Sequence, residues 1–302
     1  MAVAPDDPPY AAFRDGMRAE GLVEGRDYVV DYRFGVFDAN LLVRWAHELV
    51  GEGADVIVAS STGATQAARA ATSNVPIVMV ASHDPVEAGV IASLAKPGGN
   101  VTGQSLAGGD LMPTQLDYLQ QIAPVRRLAY LSPSLPSFGP AYPSVTDAFE
   151  RRMRVAAGAF GIEVIAPKIQ TTADVSAALA SLASEPVDAL YLIESPMWYV
   201  PGTRRPIDEV VDLAVRRGLP SMGGHRMYAQ AGLLATYGEA RPYTDMHRSA
   251  ATFVARILRG SAPGDIPVEP STRFELVVNL KTAAAMRREV PRSVLDRAAV
   301  IR

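Results

Sequence analysis

The 302-residue sequence contains no cysteine. This absence excludes disulfide bonds, thiolate nucleophiles, Cys-ligated zinc and iron–sulfur clusters, as well as racemases that depend on two cysteines. The sequence also lacks any apolar run of the roughly 18 residues needed to span a bilayer. Its formal net charge is −3, and no run of Lys or Arg exceeds two residues, so adjacent basic residues occur only as scattered pairs. Because such pairs are typical of solvated surfaces rather than phosphate tracks, we expect no nucleic-acid partner.

Several enzyme signatures are missing as well. The chain has no phosphate-binding G-x-x-x-x-G-K-[ST] loop, no dinucleotide-binding G-x-G-x-x-G motif and no G-x-S-x-G nucleophile elbow. Its four histidines share no metal-ligand spacing, and we expect neither a metal nor a cofactor. The first residues lack the basic and apolar segments of a signal peptide. We therefore expect either a cytoplasmic protein or an export signal encoded upstream of Met1.

Short apolar strands alternate with amphipathic helices along the chain. The patterns predict strands at 27–33, 56–59, 77–80, 101–106, 127–131, 163–166, 189–193, 219–222 and 274–278. They predict helices at 11–20, 40–50, 64–71, 86–94, 145–160, 173–184, 208–217, 226–231 and 243–258. Such alternation indicates parallel sheets that helices cover on both faces. We expect an α/β protein with two doubly wound lobes, and a (β/α)8 barrel is the alternative.

The loop Ser60–Thr65 follows a predicted buried strand and precedes a helix. Open α/β sheets bind ligands at the carboxyl ends of their strands. Free N–H groups, small hydroxyls and the positive end of the helix dipole suit a carboxylate there, so Ser61, Thr62 and Thr65 are candidate ligand-binding residues. Helix capping by Ser61 or Thr62 also explains these residue types, and the two roles are compatible.

The next predicted strand ends at a second polar loop, 82–87. Asp84, followed by Pro85 and by Glu87 three residues later, forms a capping-box pattern that structure alone explains. Ser82 has no such explanation, and it belongs to the same edge of the predicted sheet. Both residues are candidate ligand contacts.

Two loops hold the corresponding positions in the second half. The first contains Ser132 and Ser134, and the second runs from Glu194 to Tyr199. An aromatic pair at a strand end is typical of binding surfaces, although Trp198 packing against its own domain is an equal alternative. Glu194 is suited to accept a ligand ammonium group. His83 and His225 also follow strands, and either one facing a cleft is the less favoured interpretation.

Three ordered motifs resemble one protein family. The pattern Ala12-Phe-Arg-x-Gly-Met-Arg18, the run Lys96-Pro-Gly-Gly-Asn-Val-Thr-Gly103 and the run Phe274-Glu-Leu-Val-Val-Asn-Leu-Lys-Thr-Ala283 carry the resemblance. They are similar to the ABC transporter substrate-binding family that includes tryptophan- and tyrosine-type binding proteins. The similarity extends from about Ala11 to the C-terminus, and the last two motifs are its most specific parts because the fold does not require them.

The resemblance implies a periplasmic-binding-protein fold that traps a small solute between two lobes. It places a three-crossing hinge near Ser105, Tyr237 and Phe274, with lobes at 1–104 plus 238–272 and at 105–237 plus 273–302. It implies a non-enzymatic component of an ABC importer that binds a carboxylate-bearing solute, an aromatic or other amino acid. The implied partner is an ABC permease, the implied location is the periplasm, and we expect a monomer.

The same resemblance places ligand contacts in both lobes. It assigns Ser61, Thr62 and Thr65 to the solute carboxylate, with Asp84 beside them. From the other lobe it adds Ser134, Glu194, Trp198 and Tyr237. With Ser82 from the strand-end argument, these nine residues are the predicted binding site.

Two departures from the family and two rival functions accompany this prediction. Relatives have a complete first strand, whereas Ala2–Pro5 resembles only its end, so we expect a truncated start and a gap in the first sheet. The loop at 194–200 is also richer in aromatics than is typical.

One rival function is a lyase or isomerase that uses Asp84, Glu194 or His225 as acid and base. The other is the effector domain of a regulator, although no helix-turn-helix precedes it.

Overall fold

A computed structural model describes residues 7–33, 39–107, 109–134, 144–199 and 205–302. The chain divides into two compact α/β units. The first unit comprises the residues up to Ala107, a short segment that ends at Val145, and Arg241–Ser271. The second unit comprises Gly108–Leu135, Thr146–Ala240 and Thr272–Arg302. The predicted lobe bounds at 104, 237 and 272 stay a prediction.

The described residues form eleven strands and eleven α-helices. The strands are β1 (Ile57–Ser60), β2 (Ile77–His83), β3 (Val101–Leu106), β4 (Arg127–Leu131), β5 (Glu163–Ile165), β6 (Ala189–Leu192), β7 (Ser221–Gly223), β8 (Ala235–Glu239), β9 (Glu269–Pro270), β10 (Phe274–Asn279) and β11 (Ala298–Ile301). The helices are α1 (Pro8–Ala19), α2 (Ala39–Gly51), α3 (Thr62–Ala71), α4 (Met112–Ile122), α5 (Val145–Ala159), α6 (Thr172–Ser184), α7 (Pro206–Arg217), α8 (Arg226–Ala231), α9 (Tyr243–Leu258), α10 (Leu280–Ala285) and α11 (Arg292–Leu295).

The sheet of the first unit is parallel, with strand order β1-β2-β3-β9. Residues Ile77–Val80 of β2 are completely buried, as expected for a strand that helices cover on both faces. Helix α1 packs against α9, which also contacts β2 and β3, while α3 contacts β1 and β2. The core of this unit contains Phe13, Met17 and Phe253.

The sheet of the second unit has strand order β11-β10-β8-β7-β6-β4-β5. Among the described strands of this sheet, only the pair formed by β8 and β10 is antiparallel. The carboxyl ends of β4, β6, β7 and β8 consequently lie along one edge of the sheet, where the start of β10 joins them. Both described sheets are open, which decides against the barrel alternative. Among the described residues, no helix combines the length and the apolar character needed to cross a membrane.

Two predicted elements are wrong. Residues 29–33 lie in no strand, and the only ladder contact of this stretch is an isolated bridge between Glu24 and Tyr28. A strand requires a neighbouring strand for its N–H and C=O groups, and among the described residues β1 pairs only with β2. The predicted start of a first strand at Ala2–Pro5 lies outside the described residues.

The predicted helix at 86–94 is a series of turns. Its first bonds are helix-like, since Ala88 N–H donates to Asp84 O at 2.9 Å and Val90 N–H to Pro85 O at 3.0 Å. Gly89 then adopts a left-handed φ of 73°, which ends the turn. The capping-box interpretation of Asp84 and Glu87 is therefore wrong, because no helix follows for them to cap.

Candidate functional site

The loop after β1 is built around Ser61. Its Oγ accepts a hydrogen bond from Ala64 N–H at 3.2 Å, and its carbonyl accepts from Thr65 N–H at 3.0 Å and from Thr65 Oγ1 at 2.8 Å. These bonds leave the N–H groups of Thr62 and Gly63 without a partner among the described residues. The start of α3 thus presents two free donors at the positive end of a helix dipole, a suitable place for an anion.

Thr62 connects this loop to the loop after β2. Its Oγ1 accepts a hydrogen bond from His83 N–H at 2.9 Å, and its side chain is buried. Ser82, the residue before His83, is also fully buried. The Ser82 Oγ has no hydrogen-bond partner among the described residues. An unsatisfied buried hydroxyl costs free energy, so it requires an explanation such as a ligand.

Backbone strain is concentrated at this edge of the first sheet. Ser61, Ala81 and Asp84 adopt positive φ angles of 124°, 54° and 43°, a region that costs most L-residues free energy. The register between β2 and β3 shifts between Met79 and Ser82. The shift depends on Gly103, since a Cβ there would collide with the carbonyl oxygen of Met79. Strain of this kind is typical of functional sites.

His247 contributes to the same loop. Its Nδ1 donates to the Tyr243 carbonyl at 2.8 Å, and its Nε2 lies 3.0 Å from the Ser60 hydroxyl. Burial lowers the pKa of His247, against smaller opposite effects of the Tyr243 carbonyl and the Asp7 charge. The neutral ring therefore accepts the Ser60 hydrogen at Nε2 and holds the end of β1.

Trp198 is a correction to the predicted binding surface. The Trp198 side chain is completely buried, and its indole N–H donates to the Ile193 carbonyl at 2.7 Å within the second unit. The short 3-10 helix Pro196–Tyr199 turns this residue inward. Of the two interpretations of Trp198, packing against its own domain is the one that the structure supports.

Glu194 lies at the carboxyl end of β6, where two glycines make room for it. A Cβ on Gly224 would collide with Oε1 of Glu194, and a Cβ on Gly238 would collide with the Gly224 carbonyl oxygen. The Glu194 charge raises the pKa of both Tyr191 and Tyr199, although burial is the larger cause for each. This half-buried carboxylate thus lies close to two phenol groups.

Tyr237 and Ser134 occupy different environments in the second unit. The Tyr237 ring lies in β8, half-buried, with ring centroids 5.3 Å from Tyr118 and 6.3 Å from Phe274. Burial, followed by the neighbouring Tyr118, raises the pKa of Tyr237. Ser134 is exposed, and its N–H donates to the Ile169 carbonyl at 2.6 Å. A ligand role for either residue stays a prediction.

With this geometry in place, the chain was compared with known proteins. The family described as ABC transporter substrate binding protein matches residues 7–301. The chain belongs to this family.

Membership confirms the expected solute-binding component and decides against a lyase or isomerase. His225, a proposed acid or base in that alternative, caps α8 through Nδ1, which accepts the Met227 N–H at 3.3 Å.

Individual proteins of known sequence or structure are similar to this chain. The chain is 29% identical over 279 residues to a tyrosine-binding protein of Clostridioides difficile (strain R20291), covering 91% of this chain and 75% of that protein. A conserved domain protein from Vibrio cholerae is 27% identical, with a TM-score of 0.85, covering 98% of this chain and 95% of that one. An ABC domain from Streptococcus pneumoniae in complex with L-Trp is 24% identical, with a TM-score of 0.79, covering 98% and 96%. These likenesses confirm the expected fold class.

Sequence reasoning missed three residues of these loops. Ser60 and His247 are 187 positions apart, and no local pattern links them. Tyr199 was passed over in favour of its neighbour Trp198, because composition identifies an aromatic loop without indicating which ring the backbone turns inward.

Proposed function

We propose that this substrate-binding protein binds an aromatic amino acid through separate sites for its carboxylate and its ammonium group. The observation that carries the proposal is the buried, unpartnered Ser82 hydroxyl beside the free N–H groups at the start of α3. The names of the relatives, one tyrosine-binding and one in complex with L-Trp, support the choice of an aromatic amino acid.

The first unit supplies the carboxylate site. The N–H groups of Thr62 and Gly63 donate to the ligand carboxylate, and the Ser82 hydroxyl provides a third donor. Ser61 and Thr65 fix the helix start through the bonds that cap it. Each charge-assisted hydrogen bond contributes about 1.5–3 kcal/mol, so the loss of one donor should weaken ligand binding by about one to two decades.

The second unit supplies the ammonium site. Glu194 is half-buried next to Gly224 and carries a carboxylate at the ligand-binding edge of the sheet. A partly desolvated carboxylate binds an ammonium group more strongly than an exposed one does, because the local dielectric is lower. Asp84 and Tyr237 complete the proposed set of contacts.

The protein acts outside the cytoplasm as a monomer, and its partner is an ABC permease. Family membership supports this part of the proposal. The protein delivers its solute to the permease without chemical change.

Titration calorimetry with three ligands tests the proposal. L-tyrosine carries both charged groups, tyramine lacks the carboxylate, and 3-(4-hydroxyphenyl)propionate lacks the ammonium. We expect L-tyrosine to bind at least about tenfold more tightly than either analogue, because each analogue loses charge-assisted bonds. L-tryptophan, tryptamine and indole-3-propionate form a parallel series.

The variant Glu194→Gln separates the two sites. It should weaken L-tyrosine binding while leaving the affinity for 3-(4-hydroxyphenyl)propionate unchanged, since that ligand has no ammonium group. Equal affinity of the wild type for all three ligands would contradict the proposal.

A further inference from the structure

Core packing explains only part of the first family motif, which lies in α1. Phe13 and Met17 belong to the core of the first unit. Gly16 lets α9 approach closely, because a Cβ there would collide with a carbonyl oxygen of that helix. Arg14 and Arg18 have no such role. They are four positions apart and therefore lie on one face of α1.

This face of α1 and the loop that follows the helix enclose a cavity of about 200 Å³. The loop is held by its own bonds, since Gly25 N–H donates to the Tyr28 carbonyl at 2.8 Å and Val23 N–H to the Asp27 carboxylate at 2.8 Å. The volume lies below the range of about 300–1,000 Å³ that is typical of drug-sized ligands, so it suits a smaller molecule. The cavity is lined by Arg14, Arg18, Leu22, Val23, Glu24 and Tyr28. None of these residues belongs to the loops after β1 and β2.

Two polar atoms of the lining are buried without a partner among the described residues. They are Nε of Arg14 and the hydroxyl of Tyr28. The Arg14 guanidinium lies 5.8 Å from the centre of the Tyr10 ring, and Tyr28 packs against the core of the first unit. Both side chains are thus held in position by apolar contacts. A buried donor that lacks an acceptor costs free energy, and a ligand that provides the acceptor removes this cost.

The charges of the cavity favour an anion with one negative charge. Arg18 is exposed and forms an ion pair with Asp15 at 3.0 Å, and Glu24 accepts a hydrogen bond from the Tyr10 hydroxyl. Arg14 forms no ion pair with the described residues. Its planar guanidinium matches the two oxygens of a carboxylate. Glu24 repels a second negative charge on the same ligand.

We propose that this cavity is a second ligand site, which binds a small monocarboxylate through the Arg14 guanidinium and the Tyr28 hydroxyl. Burial raises the pKa of Tyr28, the Glu24 charge raises it further, and the charges of Arg14 and Arg18 lower it. The phenol is therefore protonated at neutral pH and donates to the ligand. The inference goes beyond the proposed function, and neither one requires the other.

Amide NMR spectra of the deuterated protein, titrated with sodium acetate, test the site residue by residue. Sodium chloride at the same concentrations is the reference for unspecific ion effects. We expect acetate to shift the amides of 22–28 in a saturable way. Malonate, which carries two negative charges at neutral pH, should bind about two- to fivefold more weakly because of Glu24. Shifts at 22–28 that equal those in chloride, or tighter binding of malonate than of acetate, would overturn the inference.

The variant Arg14→Lys assigns the binding to the guanidinium. It keeps the positive charge but removes Nε and the planar fork, so acetate should bind about tenfold or more weakly at 22–28. Arg26→Lys is the matched control, because Arg26 is an exposed residue of the same loop that does not line the cavity. It should bind acetate as the wild type does. Equal affinity of Arg14→Lys and Arg26→Lys would overturn the inference.

Two Tyr→Phe variants test whether the Tyr28 hydroxyl is free in the unliganded protein. Tyr28→Phe should not lower the Tm in chloride, because the lost hydroxyl has no partner among the described residues. Tyr32→Phe should lower it, since the Tyr32 hydroxyl donates to the Asp7 carboxylate at 2.8 Å. An equal fall for both variants would contradict the proposal, because the Tyr28 hydroxyl would then be bonded inside the protein.

The same titration distinguishes this site from the proposed carboxylate site at the start of α3. Acetate carries the group that both sites are expected to bind, so shifts at 61–65 report on the other site. Arg14→Lys should leave those shifts unchanged. Saturable shifts at 61–65 with none at 22–28 would overturn this inference while supporting the proposed function, and the reverse result would do the opposite.

Discussion

Three glycines in the second unit provide a graded test of the ammonium site, because an added Cβ has different surroundings at each one. At Gly158, an exposed residue of α5, a Cβ has no heavy atom within 4 Å. At Gly224, it meets the end of the flexible Glu194 side chain, and at Gly238 it meets the Gly224 backbone. The three positions have φ angles that alanine can adopt. The variants therefore differ in what the methyl group displaces rather than in backbone strain.

The expected magnitudes follow from those obstacles. Gly158→Ala should stabilise the protein by up to about 0.5–1 kcal/mol, because alanine restricts the unfolded chain, and should leave ligand affinity unchanged. Gly238→Ala should destabilise it by at least about 1–3 kcal/mol, since two strand ends must separate. Gly224→Ala should cost less stability but displace the Glu194 carboxylate, weakening L-tyrosine binding by about 1.5–3 kcal/mol, or roughly tenfold to a hundredfold.

Urea denaturation and calorimetry measure the two quantities on the same samples. The reasoning is refuted if Gly224→Ala binds L-tyrosine as tightly as Gly158→Ala does. It is also refuted if Gly224→Ala loses as much stability as Gly238→Ala, because Glu194 would then be unable to move aside.

Further predictions concern the first unit. Ser82→Ala should raise the urea midpoint while weakening L-tyrosine binding. Thr102→Val, which removes a buried hydroxyl bonded to a carbonyl at 2.7 Å, should lower the midpoint. Gly103→Ala should lower the urea midpoint the most, because Gly103 has a φ of 126° and a Cβ there would collide with the Met79 carbonyl oxygen. Burial lowers the pKa of His247 below its ordinary value of 6.5. Below about pH 6.5 the unfolded chain therefore binds more protons than the folded chain does. The free energy of unfolding should therefore fall as the pH drops below about 6.5, and His247→Gln should reduce this slope in urea titrations from pH 8 to 5.

Periodicity predicted the helices and buried strands because those signals depend on residues a few positions apart. The predicted bounds 226–231 and 243–258 coincide with α8 and α9. In β4, as in β2, a continuous apolar run corresponds to burial on both faces, with Leu128–Leu131 completely buried. These are properties that local sequence encodes directly.

The turns at 84–90 illustrate a limit of periodic reasoning. Asp84, Pro85 and Glu87 match the composition of a helix start, yet the left-handed φ of 43° at Asp84 is incompatible with one. Asp84 follows the segment where the register between β2 and β3 shifts and where Gly103 closely approaches Met79. Strand register is a tertiary property that local periodicity does not contain.

Part of the candidate site could likewise be predicted from the sequence, and part could not. The polar loops at strand ends identify Ser61, Thr62 and Ser82 from topology alone. Topology does not indicate which side chains remain unsatisfied, and this property distinguishes Tyr199 from Trp198. Such a distinction requires the full set of hydrogen bonds, which only the folded chain defines.

Native mass spectrometry of the purified protein with L-tyrosine and L-tryptophan, followed by chemical analysis of the released ligand, tests the central claim most directly. We predict a one-to-one complex with at least one of the two amino acids and its release as the unaltered molecule. Absence of a complex with either amino acid at millimolar concentration, or recovery of a converted product, would contradict the account.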